Sequence, residues 1–156
     1  MPYEYRMTRT IPFADTDLAG IVHFANFFRY MEDAEHAFYR SLGLSVHAAT
    51  ASGWIGWPRI QTACRYVRPL HFEDDVEVHL LVTERTSATI AYGFLFRRAA
   101  DDPPRPLAYG LMTVACAERN VERNTLKSHD VPSSFADRIE SAPDAALAQW
   151  RKGREA

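Results

Sequence analysis

The 156-residue sequence predicts an α+β domain in which a curled antiparallel sheet wraps one long helix. Residues 26–42 carry an unbroken helical pattern with no Pro or Gly inside it. Residues 59–67, 76–85, 89–98 and 107–118 each have strand length and β-branched or aromatic content. The apolar arc of the helix is also wider than a surface helix needs, so something must surround it.

The helix would be roughly 25 Å long at 1.5 Å per residue, enough to cross a small domain. Phe27, Met31, Ala34, Phe38 and Leu42 fall on one line, flanked by Phe28, Tyr30 and Ala37. Arg29, Asp33, His36 and Arg40 form the wet stripe opposite, and Gly43 supplies a C-terminal cap. Ahead of the helix, residues 3–13 alternate loosely and read as a first strand. Behind it, residues 45–52 are small and read as a short second helix closed by Gly53. The GWIGWP run at 53–58 reads as a turn that could line a pocket.

The later strands are joined by legible connections. Thr86 and Ser87 make a tight one, so 76–85 and 89–98 should form an antiparallel hairpin. The chain turns polar past Asn120, with a helix expected over 133–141 and a charged, Ala-rich end that is helical or frayed. One domain spanning 1–156 is expected, with its core over about 3–135 and a helical tail over about 136–156.

The bulk composition narrows the function. A formal net charge of −2 gives no reason to expect nucleic acid as a partner. Cys64 and Cys116 lie in strand-like runs and read as buried thiols of a reducing compartment. The start, MPYEYRMTRT, lacks the apolar core of a signal peptide, and no apolar run reaches membrane-spanning length. A cytoplasmic location is the expectation.

Metal chemistry is not implied: the six histidines show no HxxxH or HExxH spacing, and no His pair neighbours either cysteine. Gly-rich phosphate loops and GxSxG elbows are absent as well. Candidates for chemistry are therefore Asp15, Asp17, His23, Asn26, Glu32, Glu35 and His36. Carboxylates ahead of a helix often serve as caps or loop formers. Equally, one of them could face a cleft beside the free N–H groups of the helix start, which suits acyl transfer. Asn26 is the favoured N-cap, His23 suits packing or hydrogen bonding, and Glu32 and His36 are an i,i+4 contact on the wet edge. Glu35 falls between Leu42 and Phe28 on the wheel, either a shoulder residue reaching out, the favoured reading, or a buried acid with a task.

The segment Asp15-Thr16-Asp17-Leu18-Ala19-Gly20-Ile21-Val22-His23-Phe24-Ala25-Asn26-Phe27, followed by this helix, resembles the D-x-D-x-x-G-[IV]-V signature of the 4-hydroxybenzoyl-CoA thioesterase family. It is also similar to the acyl-CoA thioesterases associated with the Tol–Pal system. Arg68-Pro69-Leu70, then Asp75-Val76-Glu77-Val78, the Cys116 strand and the 127–132 stretch follow in the family's order. The likeness covers about 5–135.

This resemblance implies a hotdog fold, the helix as sausage and the sheet as bun, assembled as dimers or dimers of dimers with active sites between subunits. It implies an acyl-CoA or aryl-CoA substrate, no cofactor and no metal, coenzyme A being part of the substrate. Carried over by position, Asp17 is the catalytic carboxylate, acting as nucleophile or as base for water. The Phe24 N–H matches the oxyanion donor, Arg85 and Lys127 match basic positions for the CoA phosphates, and Asp15 stays a loop residue. His23, where many relatives carry Tyr or Trp, Asn26 and the bulky Trp54–Trp57 turn, Trp57 above all, are expected near the acyl group. A hotdog hydratase would need His23 with Asp17 or His36 with Glu35. A non-catalytic acyl-CoA sensor is the third reading.

Overall fold

The computed structural model describes residues 2–156. In chain order the elements are β1 (Glu4–Thr10), α1 (Asn26–Ser41), β2 (Ala48–Ala49), β3 (Gly53–Gly56), β4 (Arg59–Tyr66), β5 (Asp75–Arg85) and β6 (Thr89–Arg98). There follow β7 (Pro106–Ala115), β8 (Ala117–Asn120), β9 (Thr125–Ser128), α2 (Ser133–Ala136) and α3 (Asp144–Glu155). The main sheet has five antiparallel strands in the order β1-β5-β6-β7-β4. A smaller sheet, β2-β3-β8-β9, flanks it.

Period-2 alternation decides which side chains meet the helix. Val78, Phe96 and Ala108 lie in one cross-strand row, and Val82, Tyr92 and Met112 in another. All six are buried, and they face Phe27, Met31, Ala34 and Phe38 of α1 within one continuous core. Removing each large apolar side chain from water is worth roughly 1.5–3 kcal/mol, so the helix is held mainly by this face rather than by propensity. The result is a sheet curled around one helix, the arrangement the resemblance implies. Among the described residues no helix is long and apolar enough to cross a membrane.

Sequence expectations held for the first strand, the long helix, the β5–β6 hairpin and the Gly43 cap, where φ is +70°. They failed where tertiary pairing overrode local composition. Residues 48–49 form a short strand rather than a helix, because they pair with Trp54 and Ile55. The tryptophan turn is largely strand β3, paired to β8. The expected strand over 107–118 breaks near Cys116, where the chain leaves the main sheet to form β8 in the smaller one. The expected helix at 133–141 is one turn, Ser133–Ala136, whose Phe135 plugs the core beside Trp57 and Tyr39.

Two side-chain expectations are also corrected. Glu35 does not reach out; it is fully buried, because Arg59 at the start of β4 meets its carboxylate at 2.5 Å. Asn26 is not the N-cap, since Ala25 holds that position and the Asn26 amide is used elsewhere.

Candidate active site

The chain between β1 and α1 makes a miniature hairpin. Thr16 bridges Val22, the Asp17 N–H donates to the Ile21 carbonyl at 2.9 Å, and the Gly20 N–H donates to the Asp17 carbonyl at 3.0 Å. The tight turn requires a left-handed residue, and Gly20 supplies it at φ +76°. The loop is then tied to the body, as the Val22 N–H donates to the Leu70 carbonyl at 2.7 Å.

Within this loop the two aspartates have different surroundings. Asp15 is consumed by structure: its carboxylate accepts the Tyr30 hydroxyl at 2.6 Å and lies 3.7 Å from Arg9. Its carbonyl accepts the His23 N–H at 2.9 Å and the Asn26 side-chain amide at 2.8 Å. Burial and the adjacent Asp15 carboxylate push the Tyr30 hydroxyl above the usual phenol range, so it remains a donor. Asp17 is exposed, and only its Oδ1 is used, by the Ala19 N–H at 2.9 Å. Its Oδ2 accepts no hydrogen bond from the described residues.

The helix start provides the complementary groups. α1 has no side-chain cap, so its first N–H groups keep their positive character. Just before it, the Phe24 N–H donates to none of the described residues, while the Phe24 carbonyl accepts the Tyr66 hydroxyl at 2.9 Å. Tyr66, from the end of β4, also packs edge-on against Phe27 at 5.1 Å. Burial, with Cys64 beside it, pushes its hydroxyl up to about 12. Asp17, Phe24, Phe27, Tyr66, Arg68 and Leu70 line one cavity of about 610 Å³, a size suited to a small-molecule group. Sequence reasoning missed Tyr66, which belongs to an edge strand forty residues downstream and carries no local motif. It also missed Arg68 as a cavity residue; Asp101 engages its guanidinium at 2.6 Å.

The sequence profile of the thioesterase-like superfamily matches residues 11–145, from the end of β1 to the start of α3. The chain belongs to this superfamily. As a thioesterase-like hydrolase it is 30% identical over 129 residues to a 1,4-dihydroxy-2-naphthoyl-CoA hydrolase of Picosynechococcus sp., across 81% of this chain and 87% of that one. Among solved structures it is similar to a 1,4-dihydroxy-2-naphthoyl-CoA thioesterase from Synechocystis, with TM-score 0.73, 20% identity, and coverage of 87% of this chain and 95% of that one. The 4-hydroxybenzoyl-CoA thioesterase from Pseudomonas sp. strain CBS-3 gives TM-score 0.74 and 18% identity over 88% of this chain and 99% of that one. At such identities the structural likeness establishes the hotdog fold.

In this hotdog hydrolase the candidate residues divide into two groups. Asp17 and Phe24 share the cavity, and Asn26 braces the loop behind them. His23 is exposed beside it, its ring stacked on Phe24 at 4.6 Å and its Nδ1 accepting the Ala25 N–H at 3.2 Å. Trp57, Arg85 and Lys127 lie elsewhere in the chain. Trp57 is buried against Tyr39 and Phe135, about 20 Å along α1 from its start. Arg85 ends β5, roughly 30 Å from the end that pairs with Thr10. Lys127 is exposed on β9 opposite Glu118. Among the described residues no group of His, Cys, Asp and Glu is placed to hold a metal ion.

Proposed function

We propose that this chain hydrolyses an aryl-CoA thioester to the free acid and coenzyme A, with Asp17 as the catalytic carboxylate. The observation that carries the reading is the shared cavity of a carboxylate oxygen with no protein partner and a free backbone N–H at a helix start. The thioester carbonyl carbon would be attacked either by Asp17 Oδ2 or by a water that Oδ2 deprotonates. Charge developing on the carbonyl oxygen would be met by the Phe24 N–H, and the thiolate of coenzyme A would leave. On the nucleophilic route water then cleaves the Asp17 acyl anhydride. Both routes consume one water and release one acid and one thiol.

The aromatic character of the acyl group is supported by the Phe24, Phe27 and Tyr66 walls, and by similarity to a naphthoyl-CoA hydrolase. A hydratase would need His23 and Asp17 acting together, whereas the His23 ring turns onto Phe24 and takes the Ala25 N–H.

Assembly belongs to the same proposal. Strand β4 pairs with β7 on one side only and exposes Ile60 (60%) and Tyr66 (44%), with Val67 (45%) just past its end. An apolar edge of this kind invites pairing with a second copy. A partner chain across it would let Trp57, Arg85 or Lys127 of one subunit approach Asp17 of the other. The free thiols Cys64 and Cys116, each pushed up to about 11 by burial, suit a reducing compartment such as the cytoplasm. The test is thiol release from a panel of aryl-, short-chain and branched acyl-CoAs, with and without EDTA. Chelator-insensitive turnover that is fastest on aryl-CoA is expected; hydration of an enoyl-CoA without thiol release would overturn the reading.

A further inference from the structure

The outer face of the main sheet carries a second, separate cavity of about 460 Å³. Its floor is one cross-strand row, Arg6–His79–Leu95–Tyr109. Its wall is α3, which crosses this face and is fixed there by three contacts. Leu147 packs with Leu81 and Ala142; Trp150 lies on Gly93, where any Cβ would collide with the indole; and the Arg65 guanidinium bonds the Arg154 carbonyl. Almost all of α3 lies past residue 145, where the superfamily match ends.

The lining is unusual for a mere packing defect. Arg97, half-buried on β6, makes no ion pair among the described residues, because Glu77 across from it is held by Arg6 at 2.9 Å. Tyr109 is 7% exposed, yet its hydroxyl bonds to none of the described residues. The Trp150 Nε1 beside them is buried without a partner among the described residues, while the Tyr109 hydroxyl and the Arg97 guanidinium reach solvent and stand open as donors. Leu95 and Trp150 supply apolar surface between these two donors. Burial lowers the His79 imidazole below its usual range, and its Nε2 already meets Glu4 at 2.8 Å.

We propose that this cavity is a second ligand site for a flat aromatic monocarboxylate, its carboxylate on Arg97 and its ring between Leu95, Trp150 and Tyr109. A planar guanidinium matches a carboxylate in two parallel hydrogen bonds. A phosphate dianion fits less well, since Glu4 borders the site and Glu77 is the cross-strand partner of Arg97. The site does not depend on the role of Asp17.

The experiment uses the full chain labelled with 5-fluorotryptophan, whose three resonances report Trp54, Trp57 and Trp150 separately. The Trp150 signal is assigned by Trp150→Phe, and 2-naphthoate is the probe. The Trp150 resonance should shift saturably, with affinity falling about tenfold or more for neutral 2-naphthamide and for Arg97→Gln, the effect of losing one charge-assisted pair. Asp17→Asn should leave this titration unchanged. A Trp150 resonance unmoved at millimolar naphthoate, or moved equally in Arg97→Gln, overturns the site. So does a shift that disappears in Asp17→Asn, which would place the ligand in the other cavity.

Discussion

The Tyr30 hydroxyl donates to the Asp15 carboxylate across 2.6 Å, from the first turns of the central helix back to the loop that precedes it. Arg9 closes the same group, its guanidinium 4.3 Å above the Tyr30 ring. The pair separates the roles of two aspartates only two positions apart. Asp15 holds the loop against the helix, so Asp17 can stand at the cavity with one oxygen uncommitted.

Tyr30→Phe leaves the Asp15 carboxylate without its nearest donor. Stability should fall by about 1–3 kcal/mol, the range for a buried hydrogen bond to a charged group. Thermal denaturation checks this, and turnover of the variant at a temperature where it is folded should fall far less than that of Asp17→Asn. Equal losses for the two variants would contradict the separation of roles.

Tyr66→Phe should act on chemistry rather than on the fold. The hydroxyl fixes the Phe24 carbonyl, and with it the peptide preceding the helix. Its loss is expected to lower kcat about tenfold with little change in KM, as for a group that positions a transition-state donor. A rise in KM alone would assign Tyr66 to substrate binding instead.

Glu35 gives a pH prediction. Burial raises its carboxyl from 4.5 to about 7, against the opposing pull of Arg59 and Tyr39. Arg59, Glu32 and His36 face it at the rim, and Tyr39, bonded in turn to Tyr92, faces it from inside. Between pH 4.5 and about 7 the folded chain holds a proton that the unfolded chain has released. This group's contribution to stability therefore falls as pH rises through that window, by on the order of 3 kcal/mol in all. Asp74 and Asp101, held below their usual range by Arg98 and Arg68, change stability in the opposite direction at lower pH. Glu35→Gln should remove only the upper window. Stability curves of variant and parent that run parallel from pH 5 to 8 would contradict it.

Much of this architecture was legible in local sequence. The helix from Asn26, the β5–β6 hairpin and the Asp15–Asp17–Gly20 loop are dictated by periodicity and turn chemistry among near neighbours. Residues governed by distant partners were not. Glu35 looked like a shoulder residue because nothing near it in sequence announces Arg59, twenty-four positions on. Tyr66 reads as an ordinary strand residue until β4 is placed beside the helix start. Residues 48–49 read otherwise and β9 carries no signal of its own for the same reason, since short strands acquire their character from the strands they pair with. Arg85 and Lys127 rest on the resemblance and Trp57 on its bulky turn, and the chain by itself places none of the three at the Asp17 cavity.

Ile60 lies 60% exposed on the free edge of β4. Ile60→Lys should therefore convert a dimer to monomer in sedimentation velocity with a normal far-UV spectrum, and turnover should fall with it. A parent chain that sediments as a monomer at micromolar concentration would remove the shared-site proposal.

The central claim rests on Asp17, and the most direct measurement is single-turnover and steady-state thiol release by Asp17→Asn on the best aryl-CoA, at confirmed parental oligomeric state. Asparagine keeps the size and the Ala19 contact while removing charge and basicity. We expect kcat to fall by at least the ~10²–10⁴-fold typical of a lost acid–base group, with KM changed much less. Near-parental turnover by a folded Asp17→Asn, with activity lost instead in His23 or Glu35 variants, would contradict the assignment.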